Sequence, residues 1–324
     1  MKLGIIGIGG ITRVVVPTLV QMEDIECYAV ASRSLEKAEA FAQEFGFDKA
    51  YGSYLELVSD PLVELIYVAT PHSLHYEHMM DCLRHGKPVI CEKAFTMNAK
   101  QARQVKEYAQ AHKLYAAEAL WPRYMPSRTV IQQVIDSGII GRPYMLTANL
   151  SYPISGNGRI VDPNLAGGAL LDVGVYGLNF ALMHFGGDIQ RVESSVQFAP
   201  TGVDAMESIT VFYRDGRMAV LTHGIYARSD RKGIIYGEKG YIIVENINNP
   251  ESVCAYDESG RLLERHDFAH AYSGYEYEFQ EAVRCIREGK WESDSMPLAD
   301  SVELMERMDG IRRQWGLVYP QEKA

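Results

Sequence analysis

The stretch LGIIGIGGIT, residues 3–12, decides the fold of this chain. Residues 3–6 form an apolar run of the length of a buried strand, and a glycine-rich turn follows directly and leads into a helix start. In a turn that binds phosphate, the first glycine allows a tight bend, the second lets the backbone approach a pyrophosphate, and the third permits close helix packing. Gly7 and Gly9 occupy the first two positions and Thr12 the third. Since a glycine cluster after any strand gives a similar motif, the rest of the chain must support this interpretation.

The first 120 residues alternate between apolar runs and amphipathic segments. Residues 25–31 and 65–69 have the length of strands, whereas residues 34–45 and 98–112 have helical spacing. Strands and helices that alternate in this way form a parallel, doubly wound sheet. We therefore predict an α/β fold in which residues 1–120 form an N-terminal, dinucleotide-binding Rossmann domain.

The pattern changes after Trp121, where strand-like segments follow one another with only short turns between them. Such segments predict antiparallel pairing. One helix, residues 169–185, interrupts them, and two helices at 275–288 and 298–315 close the chain. We predict that residues 121–324 form a C-terminal α+β domain with a large, mostly antiparallel open sheet. Its predicted strands are residues 143–152, 189–198, 207–213, 217–225, 231–236 and 240–244.

The charge of the chain indicates which class of molecule it binds. The chain has a net charge of −10, and its lysines and arginines are scattered rather than clustered. Nucleic acids and anionic membrane surfaces attract basic patches, so neither is expected as the main partner. The predicted partner is a small molecule.

The cysteines and the apolar runs indicate the compartment. The five cysteines include no Cys-x-x-Cys pair and no regular spacing, so neither a disulfide framework nor a structural zinc site is predicted. No stretch reaches the roughly 18 uninterrupted apolar residues typical of a membrane span, and no clean signal-peptide cleavage site follows the N-terminus. We expect a cytoplasmic protein with reduced thiols and no membrane partner.

The end of the second predicted strand discriminates between cofactors. An acidic residue there accepts hydrogen bonds from the adenosine ribose, whereas a basic residue accommodates a 2′-phosphate. The chain has Ser32-Arg33-Ser34 and no acid at this point. The Arg33 guanidinium can pair with the phosphate or stack on the adenine, and the two serines can donate hydrogen bonds. This favours NADP(H), with NAD(H) still possible; the alternative is a solvated arginine in a surface loop.

Two further groups of residues have the chemistry of an active site. Glu92-Lys93 follows the apolar run 88–91 and places an amine at the mouth of a buried strand, where burial is costly unless the amine is used. Asp172 and Tyr176 are four residues apart and would share one helix face. The Gly167-Gly168 pair before them lets another group approach the backbone closely. The alternative is that Asp172 is an internal hydrogen-bonding group that seats this helix under the sheet.

Four motifs occur in order along the chain: Gly7-x-Gly9, Thr70-Pro71-His72-x-x-His75, Glu92-Lys93, and Gly167-Gly168 followed by Asp172-x-Gly174-x-Tyr176. With them the chain resembles the Gfo/Idh/MocA oxidoreductase family over essentially its full length. Two positions depart from the family pattern, because Ala94 replaces the proline that usually follows the lysine and Tyr176 stands where histidine is common. The tyrosine, with residues 118–124 upstream, resembles the branch that contains dimeric dihydrodiol dehydrogenase and NADP-dependent xylose dehydrogenase.

The resemblance implies an enzyme that transfers a hydride between nicotinamide and a carbinol or carbonyl carbon of a sugar, polyol, diol or dicarbonyl. It implies that Lys93 donates or accepts the proton, that Tyr176 assists and that Asp172 orients a hydroxyl or Lys93 itself. It also implies that residues 121–324 bind the substrate and form a homodimer or a dimer of dimers. The alternative is a non-catalytic regulator or sensor that keeps the fold and binds dinucleotide as a signal.

The residues predicted to contact the cofactor lie in the glycine loop, at the end of the second strand, around the start of the helix at His72, and near Glu92 and Trp121. Trp121 and Arg123 are expected to close the site near the nicotinamide; the alternative for Trp121 is a packed side chain at a domain boundary. His72, His75 and His78 recur every three residues, but nothing completes a metal site with them, so no metal is predicted. The predicted cofactor-binding residues are Gly7, Ile8, Gly9, Gly10, Ile11, Thr12, Ser32, Arg33, Ser34, Thr70, Pro71, His72, His75, Glu92, Lys93, Trp121 and Arg123.

Overall fold

The computed structural model describes residues 1–323, which divide into two compact units. Unit 1 comprises Met1–Tyr124 and Ala271–Glu306, and unit 2 comprises Met125–His270 and the chain from Arg307 onward. The first boundary lies close to the predicted one. The predicted second domain, residues 121–324, differs from unit 2 because its residues 271–306 belong to unit 1.

Unit 1 is built on a six-stranded parallel sheet with the strand order β3-β2-β1-β4-β5-β6. The order reverses between β1 and β4, so the sheet is doubly wound and the predicted Rossmann architecture is confirmed. All residues of the strands β4, β5 and β6 and most residues of β1 and β2 are buried, because helices cover both faces of a parallel sheet. The strands are β1 (Lys2–Ile6), β2 (Glu26–Ala31), β3 (Lys49–Tyr51), β4 (Leu65–Val68), β5 (Val89–Glu92) and β6 (Ala116–Ala119).

Five helices connect these strands. Their N-termini follow the carboxyl ends of the strands, which places the connecting loops along one edge of the sheet. Ser34 and Asn98 cap the second and fifth helices through side-chain oxygens that accept backbone N–H groups. The helices are α1 (Gly10–Leu19), α2 (Leu35–Phe45), α3 (Tyr54–Ser59), α4 (His72–Arg84) and α5 (Ala99–His112).

Unit 2 is built on an eight-stranded sheet with the order β14-β13-β12-β11-β7-β10-β9-β8. Every neighbouring pair is antiparallel except β7 and β10, which are parallel. The prediction of a mostly antiparallel sheet is therefore confirmed. The strands are β7 (Pro143–Ser151), β8 (Ile189–Phe198), β9 (Asp204–Tyr213), β10 (Met218–Gly224), β11 (Gly233–Gly237), β12 (Gly240–Glu245), β13 (Ser252–Asp257) and β14 (Leu262–Asp267).

A largely apolar helical segment packs on one face of this sheet. It begins with a π-helical turn, Leu170–Gly174, and continues as α7 (Val175–Phe185), while α6 (Pro126–Asp136) lies earlier in the chain. The stretch Pro163–Phe185 is long and apolar enough to cross a membrane by length and composition alone, which the sequence analysis did not predict. Of its most apolar window, however, 89% is buried inside the structure, as in the core helix of a globular unit.

Two helices close the chain, α8 (Glu276–Arg287) and α9 (Leu298–Trp315). Phe279, Val283 and other residues on one side of α8 belong to the same buried cluster as Leu3 and Ile5 of β1. The Phe279 ring meets Tyr67 of β4 edge-on, with 5.2 Å between ring centroids. An apolar helix face is visible in the sequence, but the sheet that buries it is not, so the sequence could not show that this segment packs within unit 1.

Candidate active site

The glycine loop between β1 and α1 has the shape of a phosphate cradle. Gly7 has φ +99°, and a Cβ on it would lie 2.8 Å from the carbonyl oxygen of Ala69, so a side chain would be both strained and obstructed. Gly9 is the N-cap of α1 and has no side-chain cap. A Cβ on Gly9 or Gly10 would meet nothing within 4 Å. The N–H groups at the start of α1 are therefore accessible, as binding of a pyrophosphate requires.

Thr12 occupies the position where a third glycine is common, and it supports the loop from inside. Its side chain is buried, and its hydroxyl donates to the carbonyl oxygen of Gly7 at 2.9 Å. Gly7 in turn donates its N–H to the carbonyl oxygen of Ala31 at 3.2 Å. Ile8 and Ile11 are half-buried beside these contacts. The departure from the glycine pattern thus leaves the loop shape intact.

Arg33 lies just beyond the carboxyl end of β2 with an exposed side chain. The neighbouring hydroxyls take part in the turn: Ser32 accepts the N–H of Ser34 at 3.4 Å, and Ser34 accepts the N–H of Lys37 at 3.4 Å. Ser32 is also largely buried. Arg33 is therefore the side chain of this triplet that reaches solvent as a cation.

Tyr54 and His78 lie close to Arg33, and the sequence analysis did not assign either to the site. The two rings meet edge-on with 4.7 Å between centroids, and His78 Nδ1 lies 3.0 Å from Thr70 Oγ1. Burial lowers the pKa of the His78 ring, and the Arg33 guanidinium lowers it further, while Asp81 acts in the opposite sense. A neutral ring beside a cation and a tyrosine provides a flat, uncharged surface at this end of the sheet.

The histidines of the Thr70-Pro71-His72-x-x-His75 motif lie inside unit 1. Pro71 is the N-cap of α4, and His72 and His75 are both almost completely buried. His75 Nδ1 is 2.9 Å from the carbonyl oxygen of Ala94, and its Nε2 is 2.7 Å from that of Thr70. His75 therefore joins the loop after β4 to the loop after β5. This placement gives it a direct influence on the segment that carries Lys93.

Lys93 follows β5 directly and is half-buried. Its neighbour Glu92 is 6% exposed and accepts a hydrogen bond from the Tyr67 hydroxyl at 2.5 Å. Glu92 is the last residue of β5 and is buried in the core, whereas Lys93 lies just beyond the strand and is only partly buried. The Lys93-Ala94 peptide is cis. Glu92, which was predicted to contact the cofactor, thus has the environment of a group that holds backbone geometry.

Trp121 and Arg123 are packed side chains in unit 1. The Trp121 ring stacks on Tyr275, with centroids 4.2 Å apart and planes 8° apart. Arg123 is 5% exposed and forms an ion pair with Asp300 at 2.8 Å. The stacking favours the alternative role of Trp121 as a packed side chain. The ion pair engages the Arg123 guanidinium within the protein.

Asp172 and Tyr176 lie in unit 2, on the π-helical turn and at the start of α7, and each is 8% exposed. Asp172 Oδ1 accepts from Arg159 at 2.9 Å, an ion pair that the sequence did not suggest. The Gly167-Gly168 pair does permit a close approach, as predicted. Gly168 has φ +119°, and a Cβ on it would collide with Asp204.

Metal coordination is not a feature of the described chain. Within residues 1–323, no group of three or more His, Cys, Asp or Glu side chains is arranged to hold a metal ion.

The fold and the glycine loop define a class of protein: oxidoreductases with a dinucleotide-binding Rossmann domain and a second α+β domain. Residues 1–119 match the family model described as "Oxidoreductase family, NAD-binding Rossmann fold", and residues 129–243 match the C-terminal domain model of the same family. The chain belongs to the Gfo/Idh/MocA oxidoreductase family, and the two relatives described below are dehydrogenases that act on CH–OH groups. It is therefore an NAD(P)-dependent enzyme of this kind.

Two relatives illustrate the branch. The chain is 34% identical over 306 residues to trans-1,2-dihydrobenzene-1,2-diol dehydrogenase of Mus musculus, covering 91% of this chain and 90% of the relative. It is 35% identical over 373 aligned positions to D-xylose 1-dehydrogenase (NADP(+)) of Hypocrea jecorina, covering 99% and 93%. Among solved structures, a 3-ketoreductase from Actinomadura kijaniata has the same fold, with a TM-score of 0.89, 24% identity and 97% of both chains covered.

Proposed function

We propose that this protein is an NADP(H)-dependent oxidoreductase that transfers a hydride between nicotinamide and a carbinol or carbonyl carbon of a sugar, polyol, diol or related small molecule. The observation that carries the proposal is the position of Lys93 at the same sheet edge as the glycine loop. In the order β1-β4-β5, the loop after β1 and Lys93 after β5 are two strand spacings apart, or about 10 Å. A dinucleotide whose pyrophosphate lies at α1 can extend along this edge toward the lysine.

The open start of α1 fits a pyrophosphate, because Gly9 and Gly10 leave space where side chains would otherwise stand. Arg33 would receive a 2′-phosphate beyond the adenosine ribose, since it is exposed and cationic and no acid stands beside it. This supports NADP(H) as the preferred cofactor. The name of the Hypocrea jecorina relative, a dehydrogenase for NADP(+), agrees with this preference.

A bound nicotinamide would supply the hydride chemistry, and side chains of the protein would donate and accept the proton. Lys93 would give a proton to the substrate oxygen during reduction and take it back during oxidation. Tyr176 would hydrogen-bond the same oxygen. Asp172, held by Arg159, would orient a neighbouring substrate hydroxyl. Sugars and vicinal diols carry such paired hydroxyls, and both relatives are named for substrates of these classes.

Lys93→Ala tests the proton-transfer role. We expect turnover to fall roughly a hundredfold to ten-thousandfold, the usual value of a positioned acid or base, while NADPH binding persists. The assay is titration with NADPH and NADH by quenching of protein fluorescence, then nicotinamide absorbance with aldoses, inositols, diols and dicarbonyls. The control is Lys100→Ala, an exposed lysine on α5.

Wild-type turnover in Lys93→Ala would contradict the assigned role. Tight NADPH binding by the wild-type chain with no turnover on any substrate class would instead favour the non-catalytic regulator. Failure to bind either cofactor would contradict the proposed function as a whole.

We also propose that the protein is a cytoplasmic homodimer, or a dimer of dimers, that associates through the open face of the unit 2 sheet. On the side of this sheet away from α7, alternate strand residues are only partly buried, and several are apolar. A partly exposed apolar sheet face is typical of an interface. Light scattering that shows a monomer at micromolar concentration would contradict the proposal. The apolar residues are Phe212, Val220, Ile234, Tyr236 and Ile243.

A further inference from the structure

Three polar residues lie on the buried face of the unit 2 sheet, where apolar residues are the rule. Glu207 of β9 and His223 of β10 are direct cross-strand partners, and His223 Nδ1 lies 2.7 Å from Glu207 Oε1. Neither side chain has any exposed surface. Asp204, at the start of β9, is also completely buried. We call these three residues the polar platform.

The helical segment that carries Asp172 and Tyr176 rests on the polar platform. Asp204 Oδ2 accepts the backbone N–H of Leu170 at 2.5 Å, at the start of the π-helical turn. A Cβ on Gly174 would collide with Glu207 Oε1, and a Cβ on Gly177 would collide with His223 Nε2. Each platform side chain therefore touches the helix backbone itself.

The contacts are made at positions other than those of the proposed active-site residues. The platform meets the backbone at residues 170, 174 and 177. Asp172 lies between the first two of these positions, and Tyr176 directly precedes the third. Since all of these residues belong to one continuous helical segment, any change in its height or rotation on the platform would also move Asp172 and Tyr176.

The chemistry of the platform suits a positioning role better than a purely stabilising one. Burial raises the pKa of Glu207 to about 8 and lowers that of His223 to about 3, so burial favours the neutral form of both. Burial, and then the charge of Glu207, raise the pKa of Asp204 to about 7. Asp204 Oδ1, Glu207 Oε2 and His223 Nε2 have no hydrogen-bond partner within the described chain. Apolar residues would avoid this cost, so the polar groups point to a geometric requirement.

We propose that Asp204, Glu207 and His223 are positioning residues, which fix the helix through direct contact with its backbone and thereby set the location of Asp172 and Tyr176 in the active site. This inference rests on the proposed function, because it assigns the platform to the same reaction. It adds three residues that no motif in the sequence indicates.

Gly177→Ala, His223→Asn and the double variant test the proposal. In Gly177→Ala the new methyl group meets the His223 ring, so the helix must shift; we expect kcat to fall roughly tenfold to a hundredfold, as small misplacements do. Asparagine at position 223 can keep the contact with Glu207 and still leave space for a methyl group at residue 177. The double variant should therefore recover turnover above the Gly177→Ala level. The control is His184→Asn, a buried histidine farther along α7 that contacts Gln132, and its kcat should match wild type.

Glu207→Ala and Glu207→Gln test the contact itself, because alanine removes the side chain that meets residue 174 and His223, whereas glutamine preserves its shape and its bond to His223. We expect a lower kcat with unchanged affinity for NADPH in Glu207→Ala, and a kcat near wild type in Glu207→Gln. Wild-type kcat in both Glu207→Ala and Gly177→Ala, with both variants folded, would overturn the proposal.

Two further measurements keep this inference separable from the proposed function. If Lys93→Ala loses turnover while the platform variants keep it, the function stands and the inference fails. If Lys93→Ala is fully active, amide hydrogen exchange across residues 168–177 decides the inference without reference to turnover. Exchange should be faster in Gly177→Ala and restored in the double variant, and unchanged exchange in Gly177→Ala would overturn the proposal.

Discussion

In the proposed function, Arg33 is the side chain that sets the choice of cofactor. It is exposed at the end of β2, and the serines on either side are already engaged in the turn that begins α2. The rings of Tyr54 and His78 stand nearby, and burial keeps His78 from competing as a cation. A 2′-phosphate at this point would therefore meet one strong, planar donor.

Arg33→Asp should reverse the preference between cofactors. A charge-assisted hydrogen bond contributes about 1.5–3 kcal/mol, so we expect the Kd for NADPH to rise roughly tenfold to a hundredfold. The Kd for NADH should fall, because the new carboxylate can accept from the ribose hydroxyls. Fluorescence titration measures both.

The control for this change is Arg228→Asp, which alters the net charge equally at an exposed position of unit 2. It should leave both affinities unchanged. An unaltered preference in Arg33→Asp would show that the phosphate is bound elsewhere.

At the scale of elements, His75 links two loops that the fold brings to one sheet edge. Its ring contacts the carbonyl oxygens of Thr70 and Ala94, which follow β4 and β5. It is completely buried, so its contribution is to hold the loop that begins with Lys93.

His75→Ala should lower both stability and turnover. The loss of the buried hydrogen bond that the ring donates to one of these carbonyls, and of the ring volume, should cost about 2–4 kcal/mol, and Lys93 should lose its alignment. We expect a lower Tm in a thermal melt and a kcat reduced more than the affinity for NADPH.

The matched variant is His85→Ala at the exposed end of α4, where the ring lies 2.8 Å from the carbonyl oxygen of Asp81 in the same helix. Its Tm and kcat should stay near wild type. If both histidine variants behaved alike, the linking role of His75 would be wrong.

Periodicity predicted most of the long elements, and it failed where an element is short or where its partner is distant. β8 and α9 were predicted with the bounds that the structure shows. β3 has three residues and α3 has six, too few for a pattern, and the charged edge strand β14 lacks an apolar alternation. The sequence could not show the polar platform for another reason: residues 204, 207 and 223 meet residues 170, 174 and 177 of the helix, which lie 33 to 46 positions earlier in the chain.

At the scale of the whole molecule, the buried carboxyl groups determine how stability depends on pH. Burial raises the pKa of Glu118 and of Asp204 to about 7 and that of Glu207 to about 8. In the unfolded chain these groups lose their protons near pH 4, so between about pH 4.5 and pH 8 the folded state binds more protons. Stability should therefore fall as the pH rises through this range. His223, with its lowered pKa, opposes this trend only below about pH 6.5.

We expect the unfolding free energy to decrease between about pH 6.5 and pH 8, and Glu207→Gln to remove about 2 kcal/mol of that decrease. Thermal melts across this range provide the measurement. Glu288→Gln is the control, because Glu288 is exposed and its pKa is lowered by Lys290 and Arg284, so it stays ionised in both states above pH 6. A stability that rises with pH in this window would contradict the assignment of buried, protonated acids.

Because α8 belongs to unit 1, the dinucleotide-binding unit is not encoded by one contiguous segment of the gene. The polypeptide passes from one unit to the other after Tyr124, after His270 and again after Glu306. A fragment that stops at Tyr124 would leave Tyr67 facing water where the Phe279 ring now packs, and would remove α8 from the cluster that contains Ile5. Recombination that exchanges cofactor modules between related enzymes must therefore move two separate segments together, and a single crossover near residue 124 should yield a chain with an incomplete core.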